Sequence, residues 1–110
     1  MTPIPTREEI DLKKALEAHG VFVMSQVPDG HKHIDLSIPA GRINIEVDGP
    51  KHLTNPNQIV ADLLRSHYSD GLGYFTIHIP NEYINSDLDL IAKALAEASI
   101  IREEQIRKQI

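Results

Sequence analysis

The sequence predicts a single α/β domain, a four-stranded mixed sheet flanked by helices in the order α-β-β-β-α-β-α. Three observations lead there. Residues 33–38 and 42–48 alternate apolar and polar side chains in strict step, as half-buried strands do. Stretches of helical periodicity lie on both sides of a further apolar run at 74–79. A strand reached through a crossover helix pairs parallel to the strand before it, with right-handed connection. At 110 residues the chain suits one domain. Its core spans about 6–84, with a C-terminal helix at about 86–110.

The first helix opens at Thr6, which forms a capping box with Glu9, and closes at Gly20. Residues 21–27 read as a strand, and Pro28, Asp29 and Gly30 as a turn. In the hairpin that follows, Ile34, Leu36 and Ile38 must share a face with Ile43, Ile45 and Val47, because a one-residue slip would bury the polar set. A tight turn at Ala40 and Gly41 then pairs Ile38 with Ile43, Leu36 with Ile45, Asp35 with Glu46 and His33 with Asp48. Asn55, followed by Pro56, caps a second helix whose apolar stripe is Ile59, Val60, Leu63, Leu64 and His67. Residues 74–79 form a fourth strand stopped by Pro80, and Ser86 or Asp87 caps the last helix. From Arg102 on this helix is charged, with Ile106 and Ile110 on one side.

Composition narrows the function. With no cysteine there is no disulfide, thiolate zinc site or cysteine nucleophile. No apolar run reaches membrane length and no leader is recognisable, so a cytoplasmic protein without membrane contact is expected. The net charge of −5 argues against a simple electrostatic nucleic-acid binder. It is compatible with a metal-dependent nuclease, whose own site is acidic.

The candidate chemistry lies on the polar face of the hairpin. Two opposed carboxylates, Asp35 and Glu46, repel unless solvent, a cation or a proton intervenes. With the Val47 carbonyl and waters they suit a hard divalent cation, Mg2+ or Mn2+. Asp48 extends the acidic set. His52, just past the strand, has the chemistry to move a proton to or from water. Lys51 can meet a phosphate. Gln58, Asp62 and Arg65 share one face of the second helix, where Arg65 can hold a phosphate. Glu9 and Glu8 stand in the first helical turn, either able to supply one more acid. Each also has a plain structural account: Glu9 in the capping box, Glu8 at the positive end of the helix dipole, Asp62 and Arg65 as a surface pair.

The run from Ile45 through Glu46, Val47, Asp48, Gly49, Pro50 and Lys51 to His52, with Asp35 upstream and Asp62 and Arg65 downstream, resembles the PD-(D/E)XK superfamily. The likeness is to the branch of very-short-patch-repair (Vsr-like) endonucleases and their small relatives. It implies a restriction-endonuclease-like core and magnesium-dependent cleavage of phosphodiesters, with DNA as substrate. It also implies roles: Asp35 as central metal ligand, Glu46 as the second acid, His52 as the branch histidine, Asp62 and Arg65 as the Asp-x-x-Arg helix, and Glu8 or Glu9 as the first-helix glutamate. Asp48 stands where the superfamily usually has its motif lysine. The same run also resembles the RAP domain, a non-catalytic RNA-binding module, whose later strand is similar to residues 76–80. A homodimer through the C-terminal helix is a further expectation, testable by deleting residues 102–110.

Overall fold

The computed structural model describes residues 4–28, 33–48 and 73–108, leaving out the side chain of Asp48. Helix α1 is Arg7–Ala18. Its start follows from the capping box: Thr6 Oγ1 accepts the Glu9 N–H at 3.2 Å, and Glu9 Oε2 accepts the Thr6 N–H at 3.3 Å. Its end is a Schellman turn. Gly20, at φ 81, donates to the Glu17 carbonyl at 2.9 Å, and Val21 donates to that of Leu16 at 3.1 Å.

Four strands follow: β1 (Met24–Pro28), β2 (His33–Ile38), β3 (Ile43–Asp48) and β4 (Phe75–Pro80). They lie in that order in one sheet. The first three form an antiparallel meander and β4 joins β3 in parallel, so the protein is an α/β fold on a mixed sheet. The hairpin register is the one the alternation demands, with Leu36 opposite Ile45 and Ile38 opposite Ile43. Its turn closes through the Arg42 N–H on the Pro39 carbonyl at 3.1 Å. The paired ladder stops at Leu36 and Ile45, one step before Asp35 and Glu46. Pro28 and Pro80 each end a strand at a sheet edge, where a missing N–H is tolerated.

Helix α2 is Asn81–Lys108. It starts five residues before the expected Ser86. The difference has a physical mark: Asp87 is non-helical (φ −134, ψ 36), so a short helical stretch meets the long helix at a kink. Asp87 is thus the expected boundary of the long segment, with a helical turn in front of it. The expected crossover helix falls within 49–72, outside the described residues.

Leu12 and Leu16 of α1, Ile91 and Leu95 of α2, and Leu36, Ile38, Ile43, Ile45 and Ile79 of the sheet are all essentially inaccessible and form one core. Both helices therefore pack on the apolar face. Arg102, where the charged end of the helix begins, is only 3% exposed. It donates to the carbonyls of Gly41 at 2.6 Å, Arg42 at 3.2 Å and Gly73 at 3.0 Å. It thereby joins the β2–β3 turn to the chain entering β4.

Candidate functional site

One register row crosses the sheet, and Asp35, Glu46 and His78 of it lie on the polar face. Gln26 lies between the pairs Ser25–Leu36 and Val27–Ile34, which sets it opposite Asp35. Asp35 and Glu46 follow the last pair of the β2–β3 ladder on their respective strands. Glu46 is the direct parallel neighbour of His78. The row is therefore Gln26, Asp35, Glu46, His78, one residue from each strand. It lies toward the C-terminal ends of the parallel pair, where open α/β sheets present ligand crevices.

Each member has a distinct environment. Asp35 is half-buried, and its Oδ2 accepts the Val47 N–H at 2.7 Å. This charge-assisted bond crosses from β2 to β3 where the ladder has ended. In an extended strand a residue's N–H and C=O point to the same side, so the Val47 carbonyl faces β2 as well. Glu46 is 7% exposed, an unusual burial for a carboxylate. His78 is exposed.

Gln26 departs from its alternation. Its φ of 52 is left-handed, and its side-chain Nε2 donates to Glu9 Oε1 at 2.6 Å. The amide is thus spent on α1. Glu9 is in turn 5% exposed, with Oε2 also accepting Thr6 Oγ1 at 3.0 Å. Its carboxylate is the joint between the capping box and β1. Glu8 accepts a hydrogen bond from Asn85 Nδ2 at 3.2 Å on the surface, linking the two helices.

The expected residues are therefore brought together in part. Asp35, Glu46 and the Val47 backbone meet at adjacent strand ends. Glu9 and Glu8 are engaged in helix contacts. Lys51, His52, Gln58, Asp62 and Arg65, and the side chain of Asp48, lie outside the described residues. Among the described residues no three His, Asp or Glu side chains converge to hold a metal ion. The donor set that remains, two carboxylates and a carbonyl, fits a hard cation that keeps several waters and takes further oxygens from a phosphate.

Two residues escaped the sequence reading. His78 was hidden because a parallel register is set by tertiary packing and not by a turn. Gln26 was hidden because a glutamine carries no sign of a left-handed backbone. A cleft of about 310 Å³ between α1 and β1, lined in part by Glu9, Lys13, Ser25 and Leu36, opens on the helix side of the sheet, opposite the face that carries Asp35, Glu46 and His78. No described helix is long and apolar enough to cross a membrane. In comparisons with known proteins the chain matches no family model, no curated protein and no solved structure.

Proposed function

We propose that this chain is a metal-dependent endonuclease that hydrolyses phosphodiester bonds, with DNA as the favoured substrate. The observation that carries the reading is the juxtaposition of Asp35 and the buried Glu46 at neighbouring strand ends, beside the Val47 backbone. Mg2+ or Mn2+ bound there supplies a water of lowered pKa and neutralises phosphate charge. Asp35 and Glu46 hold the cation. The Val47 N–H fixes Asp35 so that its second oxygen is aimed by a bond already made. His52, Asp62 and Arg65 match positions of the Vsr-like endonucleases, with His52 assisting proton transfer and Arg65 steadying the phosphate; from their own chemistry Lys51 and Gln58 also meet the nucleic acid, and Asp48, which stands in place of the usual motif lysine, extends the acidic set.

The test is cleavage of supercoiled DNA, single-stranded DNA and RNA with Mg2+ or Mn2+. Glu46→Ala and Asp35→Asn are each expected to abolish cutting. Asp35→Asn is the cleaner variant, because its amide oxygen can still accept the Val47 N–H and keep the strands joined. Undiminished cutting by either variant, in protein shown folded by circular dichroism, would sink the assignment.

One observation favours a second reading, a RAP-type RNA-binding module without catalysis. Asp35 and Glu9 both spend carboxylate oxygens on the protein's own N–H and O–H groups. That reading expects metal-independent, salt-sensitive binding of single-stranded RNA. No cutting by wild type, together with such binding, would decide for it.

A further inference from the structure

We propose that the outer edge of β1 and the facing side of α1 form a docking groove for an extended peptide, one that carries an aliphatic residue and a carboxylate two positions apart. The groove opens on the helix side of the sheet, opposite the face of Asp35 and Glu46, and needs no nuclease activity.

β1 is an edge strand, paired with β2 on one side. The direction of its backbone groups follows from the β2–β3 turn. Closure of the Arg42 N–H on the Pro39 carbonyl turns the backbone groups of Pro39, and so of Ser37 and Asp35, toward β3. Those of Leu36 and Ile34 then face β1, where they meet Ser25 and Val27. The groups of Met24, Gln26 and Pro28 are left facing outward. Two of these blunt the edge: Gln26 is left-handed and Pro28 has no N–H. Met24 keeps both an N–H and a carbonyl for another strand.

α1 supplies the wall of the groove. One side of it meets α2: Glu8 accepts Asn85 Nδ2 at 3.2 Å, and His19 Nε2 lies 3.4 Å from Asp89 Oδ1. A second side, with Leu12 and Leu16, enters the core. Ile10, Lys13, Lys14 and Glu17 share the remaining side, which lines the cleft with Ser25 and Leu36. Glu9 adds no open charge there, since its oxygens take the Gln26 amide and the Thr6 N–H and O–H. Among the described residues neither Lys13, Lys14 nor the Ser25 hydroxyl makes a hydrogen bond or ion pair, although Lys13 and Ser25 are half-buried. Two unspent cations thus stand against the one carboxylate of Glu17, on a chain of net charge −5.

These features select the occupant. A strand laid along β1 sets one residue beside Met24 and aims its two neighbours at the cleft, about 6.8 Å apart. On α1, Ile10 precedes Lys13 and Lys14 by about 4.5–6 Å along the axis. One neighbour can therefore cover Ile10, which is 42% exposed, while the other, an Asp or Glu, reaches an ammonium. Main-chain bonds to an edge with side-chain pockets beside it are the usual means of holding an extended peptide.

The experiment uses the full chain. A phage-displayed library of short random peptides is selected on it, and the recovered peptides are measured by fluorescence polarisation. An aliphatic residue two positions from an Asp or Glu is the expected pattern. Backbone N-methylation, one position at a time, should weaken binding about tenfold at the residue that pairs with Met24 and leave its two neighbours, whose N–H groups face away, near the parent peptide. Lys13→Glu combined with Lys14→Glu should weaken binding about tenfold or more, and a lysine in place of the peptide's acid should restore part of it. Four results would each overturn the proposal. The library yields no peptide that the lysine variant loses. The variant, shown folded by circular dichroism, binds the acidic peptides like wild type. N-methylation has no effect at any position, which makes the groove a side-chain pocket only. Or light scattering finds two chains per particle that Met24→Lys separates, which gives the edge to a second copy.

Discussion

Gln26 sits in a backbone conformation that costs an L-residue roughly 1–2 kcal/mol, and its side chain explains why it stays there. The 2.6 Å bond to the buried Glu9 carboxylate is of the charge-assisted kind, worth about 1.5–3 kcal/mol, which offsets the strain. A prediction separates the two terms. Gln26→Ala loses the bond and keeps the strain. Gln26→Gly loses the bond and relieves the strain, less about 0.5–1 kcal/mol for the greater chain entropy of glycine. Both variants should be less stable than wild type in urea unfolding, with Gln26→Gly the more stable of the pair by about 0.5–1 kcal/mol. Equal stabilities would mean that the strain is no larger than the entropy cost of glycine, about 0.5–1 kcal/mol. At this scale the sequence was legible where chemistry is local. Thr6 and Glu9 announce their capping box by spacing alone, and the box is present. It was illegible where a contact spans many residues, as from Gln26 to Glu9 or from Arg102 to Gly41.

The elements show the same division. The β2–β3 register follows from the alternation and a short turn, and the pairs Leu36–Ile45 and Ile38–Ile43 are the expected ones. Because the ladder ends before them, Asp35 and Glu46 avoid the tight pairing that would make their like charges most costly. In the parallel pair nothing local sets the register; it is fixed from α2 by Arg102 and by the packing of Ser99 against Gly41. A Cβ built on Gly41 would lie 2.7 Å from both the Cα and the Oγ of Ser99. Gly41→Ala should therefore destabilise by about 1–3 kcal/mol, as overpacked cores do. Ser99→Gly removes the hydroxyl but not the backbone contact, so the double variant should recover only part of the loss. Full recovery in thermal unfolding would show that the hydroxyl, and not the close approach of helix to turn, is the obstacle.

For the whole molecule, the same arginine decides where the C-terminal helix stops being part of the fold. Up to Arg102 the helix is tied to the sheet by three carbonyls. Beyond it, the described side chains pair with each other on the surface: Arg107 with Glu103 at 3.1 Å and with Glu104 at 3.5 Å, and Lys108 with Glu104 at 3.9 Å. Such exposed pairs add little, about 0.3–0.5 kcal/mol each. Two truncations should therefore differ sharply. Removing 103–110 should leave a cooperative melt within about 1 kcal/mol of the full chain. Removing 102–110 also deletes the buried guanidinium, leaves three carbonyls short of a donor and should cost about 3 kcal/mol or more. The shorter cut is thus the proper test of dimerisation through this helix, since it takes away the tail without loosening the sheet. Ile100 and Ile101 stay in place in both chains, exposed on α2. Light scattering that gives two chains for the full protein and one after removal of 103–110 would assign the contact to the tail. The same mass per particle, allowing for the residues removed, would take the tail out of any assembly and leave Ile100 and Ile101 as the next pair to change.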